Sequence, residues 1–343
     1  MVMLRACRLA GAVLAATATT VLAMPPHAYA CGAAIAPYGA QATMNRELAL
    51  LHWDRTTETI VMQPALDASS NNVALVVPTP MPAAVASVDK AALTELNEIS
   101  APQIKRRPHW TVRLGVGNSA PKEAPGAPLV VSQVDLGPLE ATTLVGGDLE
   151  GLRNWLADNN YAIQPEVSDA LGPYVQDRWS FVAMRLTSKA PIVGGLDPVR
   201  LIFRSPQMMY PMRLSVAAPS PQRVTIFTLA DHRQQRVDAD AHTQSIDTQY
   251  AGRISGRLQN PVLSELAGSR GTYLTKIAVE IADPSRITSD FAFGDAPNDD
   301  AHRQVLVVND DIVIPVVALV FVLFVSEIVV AVALLRRRRG KAV

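Results

Sequence analysis

The chain holds 343 residues, 49% of them hydrophobic and 18% charged, with a formal net charge of zero. So large an apolar share excludes a disordered chain, and the charge balance excludes a nucleic-acid binder that works by bulk attraction. Two cysteines exclude a disulfide-rich scaffold and any zinc cluster built on cysteine.

From the N-terminus, Arg5 and Arg8 precede an apolar run from Leu9 to Met24, which Pro25 and Pro26 break. Ala28-Tyr29-Ala30 then places small residues at the two positions signal peptidase reads, so residues 1–30 read as a cleaved secretory signal. An uncleaved anchor and a lipoprotein signal cut before Cys31 are the alternatives. Cleavage removes Cys7 and leaves Cys31 as the one thiol, so no intramolecular disulfide is expected. Between Cys31 and Asp311 lie 24 basic and 30 acidic residues, a region of about −6 with basic ends.

The runs Leu48–Asp54 and Thr59–Leu66 predict a strand pair around the turn Arg55-Thr56-Thr57-Glu58. Val73–Val77 predicts a buried strand, and Val88–Ile99 has helical spacing with Asp89 as its cap. Trp110–Val116, Leu129–Val134 and Ala141–Val145 predict further strands. A helical pair follows, one helix capped by Asp148 over Leu149–Asn159 and one opened by Pro165 and running to about Val175. Strands are expected again at Trp179–Leu186, Val199–Phe203, Met212–Val216, Val224–Leu229 and Tyr273–Ile281, with 233–270 a long polar excursion. Residues 295–311 read as an acidic stalk.

Ile312–Leu335 is long enough to span a bilayer, and Arg336-Arg337-Arg338-Arg339-Gly340-Lys341 follows it as a basic cytoplasmic tail, 336–343. The expected topology is therefore a single-pass protein of a bacterial cell membrane, with residues 31–294 outside and the C-terminus in the cytoplasm. Glu327, in mid-span, asks for a partner on another membrane helix or stays protonated.

His52-Trp53-Asp54, Glu58-Thr59-Ile60-Val61-Met62-Gln63 and Val76-Val77-Pro78-Thr79-Pro80 form a series of short blocks. It continues through Asn154-Trp155-Leu156 to Tyr161, Trp179 to Leu186, Tyr210-Pro211-Met212-Arg213-Leu214-Ser215 and Ala230-Asp231-His232-Arg233. In that order they resemble the DUF2330 family of exported bacterial proteins, from about Cys31 to the stalk. The resemblance implies export and a shared fold, and transfers no activity and no catalytic residues.

Chemistry-bearing groups are few. His52 and Asp54 stand two apart on one predicted strand and so share a face, and Asp231-His232 closes the strand Val224–Leu229. Were the two strands neighbours, His52, Asp54, Asp231 and His232 could form an acid/base or metal site; otherwise each is an ordinary edge or turn residue. Gly115-Val116-Gly117-Asn118-Ser119-Ala120 has the spacing of a dinucleotide fingerprint, but the prolines after it exclude the helix that such a site needs. Asp295, Asn298, Asp299 and Asp300 could hold calcium but lack the EF-hand pattern, so a solvated linker is preferred. The methionines of Met208-Met209-Tyr210-Pro211-Met212 read as core rather than a soft-metal site. Lys105-Arg106-Arg107 reads as a solvated turn, or as a contact for an anionic envelope ligand.

The expectation is thus an α+β protein, mostly antiparallel strands with a helical pair, followed by one transmembrane helix. It has no cofactor, no resident metal and no nucleic-acid partner. Its role is binding or contacting an envelope component or a membrane protein, the alternative being a surface hydrolase or metal-dependent enzyme.

Overall fold

The computed structural model describes residues 33–37, 40, 42–113, 140–145, 149–187, 197–254, 256 and 258–339. The expected signal 1–30, Cys31, Asp148, the glycine motif at 115–120 and the strand at 129–134 lie outside them.

In chain order come β1 (Ala33–Ile35), β2 (Ala42–Trp53), β3 (Thr57–Ala68), β4 (Asn72–Thr79), β5 (Ala84–Ser87), α1 (Ala91–Ile99) and β6 (Gln103–Arg113). Then follow β7 (Glu140–Leu144), α2 (Leu149–Asp158), α3 (Pro165–Ala170), α4 (Gly172–Gln176), β8 (Ser180–Thr187), β9 (Val199–Arg204), β10 (Met209–Tyr210) and β11 (Gln222–Ala230). The last are β12 (Gln234–Arg236), β13 (Ser245–Arg253), α5 (Pro261–Arg270), β14 (Tyr273–Ile281), β15 (Phe291–Asp295), β16 (His302–Arg303), β17 (Val305–Pro315) and α6 (Val316–Arg339).

An eight-stranded sheet, β16-β13-β14-β11-β2-β3-β9-β5, faces a four-stranded one, β1-β4-β8-β7. Side-chain alternation makes the layers. Ala49 and Leu51 of β2 and Ile60 and Met62 of β3 meet Val73, Leu75 and Val77 of β4 and Val182 and Met184 of β8 between the sheets. On the outer face of the large sheet, Leu50, Phe227, Leu229 and Leu274 pack under Leu93 and Leu96 of α1 and Leu263 and Leu266 of α5. Ala74, Val76, Phe181 and Ala183 do the same on the small sheet under Leu152, Leu156, Val167 and Tyr174. Strands covered on both faces need no alternation, which is why β2 and β4 read as continuous apolar runs.

The fold is therefore mostly β-sheet with a few helices, and the α+β assignment does not stand. Much of the difference lies in 233–270, where a structureless excursion was expected. That segment carries β12, β13 and α5. The N-terminal half of β13 keeps partly exposed residues on both faces, which blurs its period, while α5 is announced by Asn260-Pro261. The Asn260 side chain accepts from the Val262 and Leu263 amides at 3.0 and 3.4 Å, and Pro261 occupies the first turn. Asn260→Ala is expected to cost about 1 kcal/mol in urea unfolding, and Asn260→Ser much less; equal losses would remove the cap as the cause.

Met212–Val216, expected as a strand, is instead a 3-10 turn over Arg213–Ala217. The Asp290 carboxylate accepts from the amides of Met212 and Arg213 at 2.7 and 2.9 Å, which bends the chain out of β10.

At the C-terminal side, residues 295–311 hold β16 and the first part of β17, which runs parallel to β6 over eleven pairs from Val305↔Gln103 to Pro315↔Arg113. Lys105-Arg106-Arg107 thus lies on a strand rather than a turn, with Arg106 3.3 Å from Asp310. Ile312 to Pro315 belong to β17, and α6 begins only at Val316. Among the described residues no helix is long and apolar enough to cross a membrane. The expected transmembrane helix over 312–335 is therefore not shown, and Glu327 stands exposed on α6.

Candidate functional site

Strands β2 and β11 are parallel neighbours, with His52 opposite Leu229. Both end at the same level, so the residues that follow them, Asp54-Arg55 and Asp231-His232, emerge side by side. A cleft of about 240 Å³ opens there. Trp53, Met208 and Phe293 give it an apolar floor, and Arg55, Asp231, His232, Arg270 and Asp295 form its charged rim. The Trp53 ring is held by its Nε1–H, which donates to the Ser205 carbonyl at 2.9 Å.

Asp54 builds the turn rather than the cleft. Its Oδ1 accepts from Thr56 N, Thr56 Oγ1 and Thr57 N at 2.9, 2.8 and 2.8 Å. Partial desolvation would raise this carboxyl, but the hydrogen bonds from Thr57 and Thr56 outweigh it and hold the group below its ordinary value. The tight turn sets Arg55 at φ 83°, a left-handed conformation uncommon for a residue with a Cβ. Its side chain is exposed at the cleft mouth.

His52 points the other way. It is 3% exposed, on the face covered by α1 and α5, and its Nδ1 lies 2.9 Å from the Leu229 carbonyl. A carbonyl only accepts, so Nδ1 carries the proton. The strands the sequence reading required to be neighbours are neighbours, yet the four candidates do not converge: His52 is behind the sheet, Asp54 is inside its turn, and Asp231 and His232 line the cleft. Among the described residues no cluster of three or more His, Cys, Asp or Glu side chains could hold a metal ion.

The rim groups are partly committed. Asp231 pairs with Arg270 at 2.7 Å. His232 Nδ1 lies 2.9 Å from Asp299 Oδ2, and that bond raises the imidazole pKa. Asp299 also accepts from the Arg233 amide at 2.9 Å, while Asp295 Oδ1 accepts from Gln234 Nε2 at 2.7 Å. The acidic loop at 295–300 is therefore bound down over the β11–β12 turn through the carboxylates of Asp295 and Asp299.

Sequence reasoning missed Trp53, Arg55, Arg270 and Asp295 as lining residues, and Glu58 behind them. Glu58 pairs in register with Trp53 and is fully buried. Its Oε1 accepts from the Met209 amide at 2.8 Å, while Oε2 has no hydrogen-bond partner among the described residues. Burial pushes its pKa well above the ordinary value, against smaller opposing effects of Met209 and Ser205.

The family described as "Uncharacterized protein conserved in bacteria (DUF2330)" matches residues 25–294. Comparison with curated proteins gives no match. Among solved structures, baculovirus P35 aligns at 6% identity with a TM-score of 0.35, over 79% of this chain and 99% of its own. A mutated baculovirus P35 after caspase cleavage aligns at 7% and 0.31, over 76% of this chain and 100% of its own. At such scores these two likenesses carry no argument. The family match covers well over half of the chain, which belongs to the DUF2330 family.

Proposed function

We propose that this member of the DUF2330 family is a non-enzymatic binding domain that takes a small ligand in the cleft at the ends of β2 and β11. One observation carries the reading: an exposed Arg55, set by a strained turn and without an ion pair or hydrogen bond among the described residues, stands beside the apolar floor of Trp53, Met208 and Phe293. Specific sites combine an apolar lining with a few placed polar groups, and strained backbone gathers at ligand clamps. At about 240 Å³ the cleft lies below the ~300–1,000 Å³ of drug-sized sites, so its ligand is small.

A hydrolase is less well supported. Among the described residues the cleft lining holds no Ser, Thr or Cys to act as a nucleophile. Among the described residues of the lining, only His232, oriented by Asp299, has the geometry of an acid/base pair. Export belongs to the proposal, supported by the charged, apolar and small-residue order of residues 1–30. The ligand would then be a component of the cell envelope or its surroundings.

Titration with 3-phenylpropionate, followed by amide NMR, is expected to move the signals of Trp53, Asp231 and Gly294 together. Absent or scattered shifts would sink the cleft. Turnover of an ester, peptide or phosphoester panel that falls in His232→Ala would overturn the non-enzymatic part.

A further inference from the structure

Two opposite charges on the rim are unspent. The Arg55 guanidinium makes no ion pair or hydrogen bond among the described residues. Asp295 uses one carboxylate oxygen for Gln234 Nε2 at 2.7 Å and leaves the other without a partner among the described residues. The other rim charges are taken: Asp231 by Arg270 at 2.7 Å, and His232 by Asp299 at 2.9 Å. A guanidinium recognises a carboxylate by its planar fork, and a carboxylate recognises an ammonium as a point charge. The same cleft has the floor of Trp53 and Phe293, whose rings suit an apolar or aromatic group.

We infer that the cleft binds a small zwitterion of the α-amino-acid type with an apolar side chain, its carboxylate on Arg55, its ammonium on Asp295 and its side chain on the Trp53–Phe293 floor. The inference rests on the cleft reading above and goes further by fixing the ligand's two poles. A purely anionic ligand would leave Asp295 facing it at close range, and a purely cationic one would face Arg55. Each mismatch places like charges together in a partly enclosed site.

The test uses the folded domain and three probes that differ only in their poles: L-phenylalanine, 3-phenylpropionate and phenethylamine. Calorimetric titration is expected to give L-phenylalanine about tenfold tighter binding than either single-pole probe, the order of one charge-assisted hydrogen bond. Arg55→Gln should weaken L-phenylalanine and 3-phenylpropionate by about tenfold and leave phenethylamine unweakened, and Asp295→Asn should weaken L-phenylalanine and phenethylamine by about tenfold and leave 3-phenylpropionate unweakened. Both side chains are exposed, so neither change threatens the fold. If 3-phenylpropionate or phenethylamine binds as tightly as L-phenylalanine, the cleft stands as an anion or cation site and the zwitterion is overturned. If none of the three binds, both readings fall.

Discussion

Replacing Asp238 by alanine is expected to cost about 3–5 kcal/mol, because it strands a buried charge. The Arg236 side chain is completely buried and Asp238 is 3% exposed. The guanidinium meets the carboxylate in two bonds, Nε to Oδ2 at 2.9 Å and Nη2 to Oδ1 at 2.5 Å. Gln244 takes Nη1 at 2.6 Å, and the Phe291 ring lies 3.6 Å beneath the guanidinium carbon. Asp238 also accepts from the Ala292 amide at 3.2 Å, tying β12 to β15. Without Asp238 no carboxylate compensates Arg236, and the loss approaches the whole stability of a typical domain, roughly 5–15 kcal/mol. Arg223→Ala, which removes a pair exposed at both ends, should change stability by about 0–1 kcal/mol. Urea unfolding of the two variants decides it: equal effects would mean that water reaches the Arg236–Asp238 pair.

The second large effect depends on pH. Burial raises the Glu58 pKa in the folded protein well above its ordinary value of 4.5. Below that value folded and unfolded chains both carry the proton, so the group does not oppose folding. As pH rises the unfolded chain releases its proton while the folded one keeps it, and stability falls by up to about 1.4 kcal/mol per pH unit until the folded group also ionises. Glu58→Gln removes this titration, keeps the shape, and keeps an oxygen for the Met209 amide. Its stability relative to the parent should therefore climb steadily from pH 5 upward. Parallel curves across that range would show that Glu58 is ionised or solvated in the folded state.

Local signals were legible where one chain segment decides the outcome. Asp89 caps α1 as its position suggests, its Oδ1 accepting from the Ala91 amide at 2.8 Å. The runs at 48–54, 59–66, 73–77 and 179–186 are strands because their residues are apolar enough to be buried on two faces. The site was only half legible. His52 and Asp54 look paired by strand alternation, but β2 ends at Trp53, and Asp54 folds back to satisfy the amides of its own turn. Nothing local announces that Arg55 shares a cleft with Arg270 and Asp295, since that depends on β2 lying beside a strand 177 residues away. The 3-10 turn at Arg213 was hidden for the same reason, because the carboxylate that bends it comes from Asp290, 77 residues later.

The parallel ribbon of β6 and β17 has a consequence for the order of events at birth. Gln103 pairs with Val305, so the first strand leaves the ribosome about 200 residues before its partner exists. At roughly 5–20 residues per second that is a wait of tens of seconds, long against the microseconds to seconds in which small domains fold. During that interval β6 is an unclaimed edge carrying Ile104, which is 60% exposed even in the finished fold. Lys105-Arg106-Arg107 and Pro108 follow directly. Charges and a missing N–H are what keep a waiting strand from recruiting the wrong neighbour. The basic cluster is then a guard on nascent chains, one that matters most before β17 has been made.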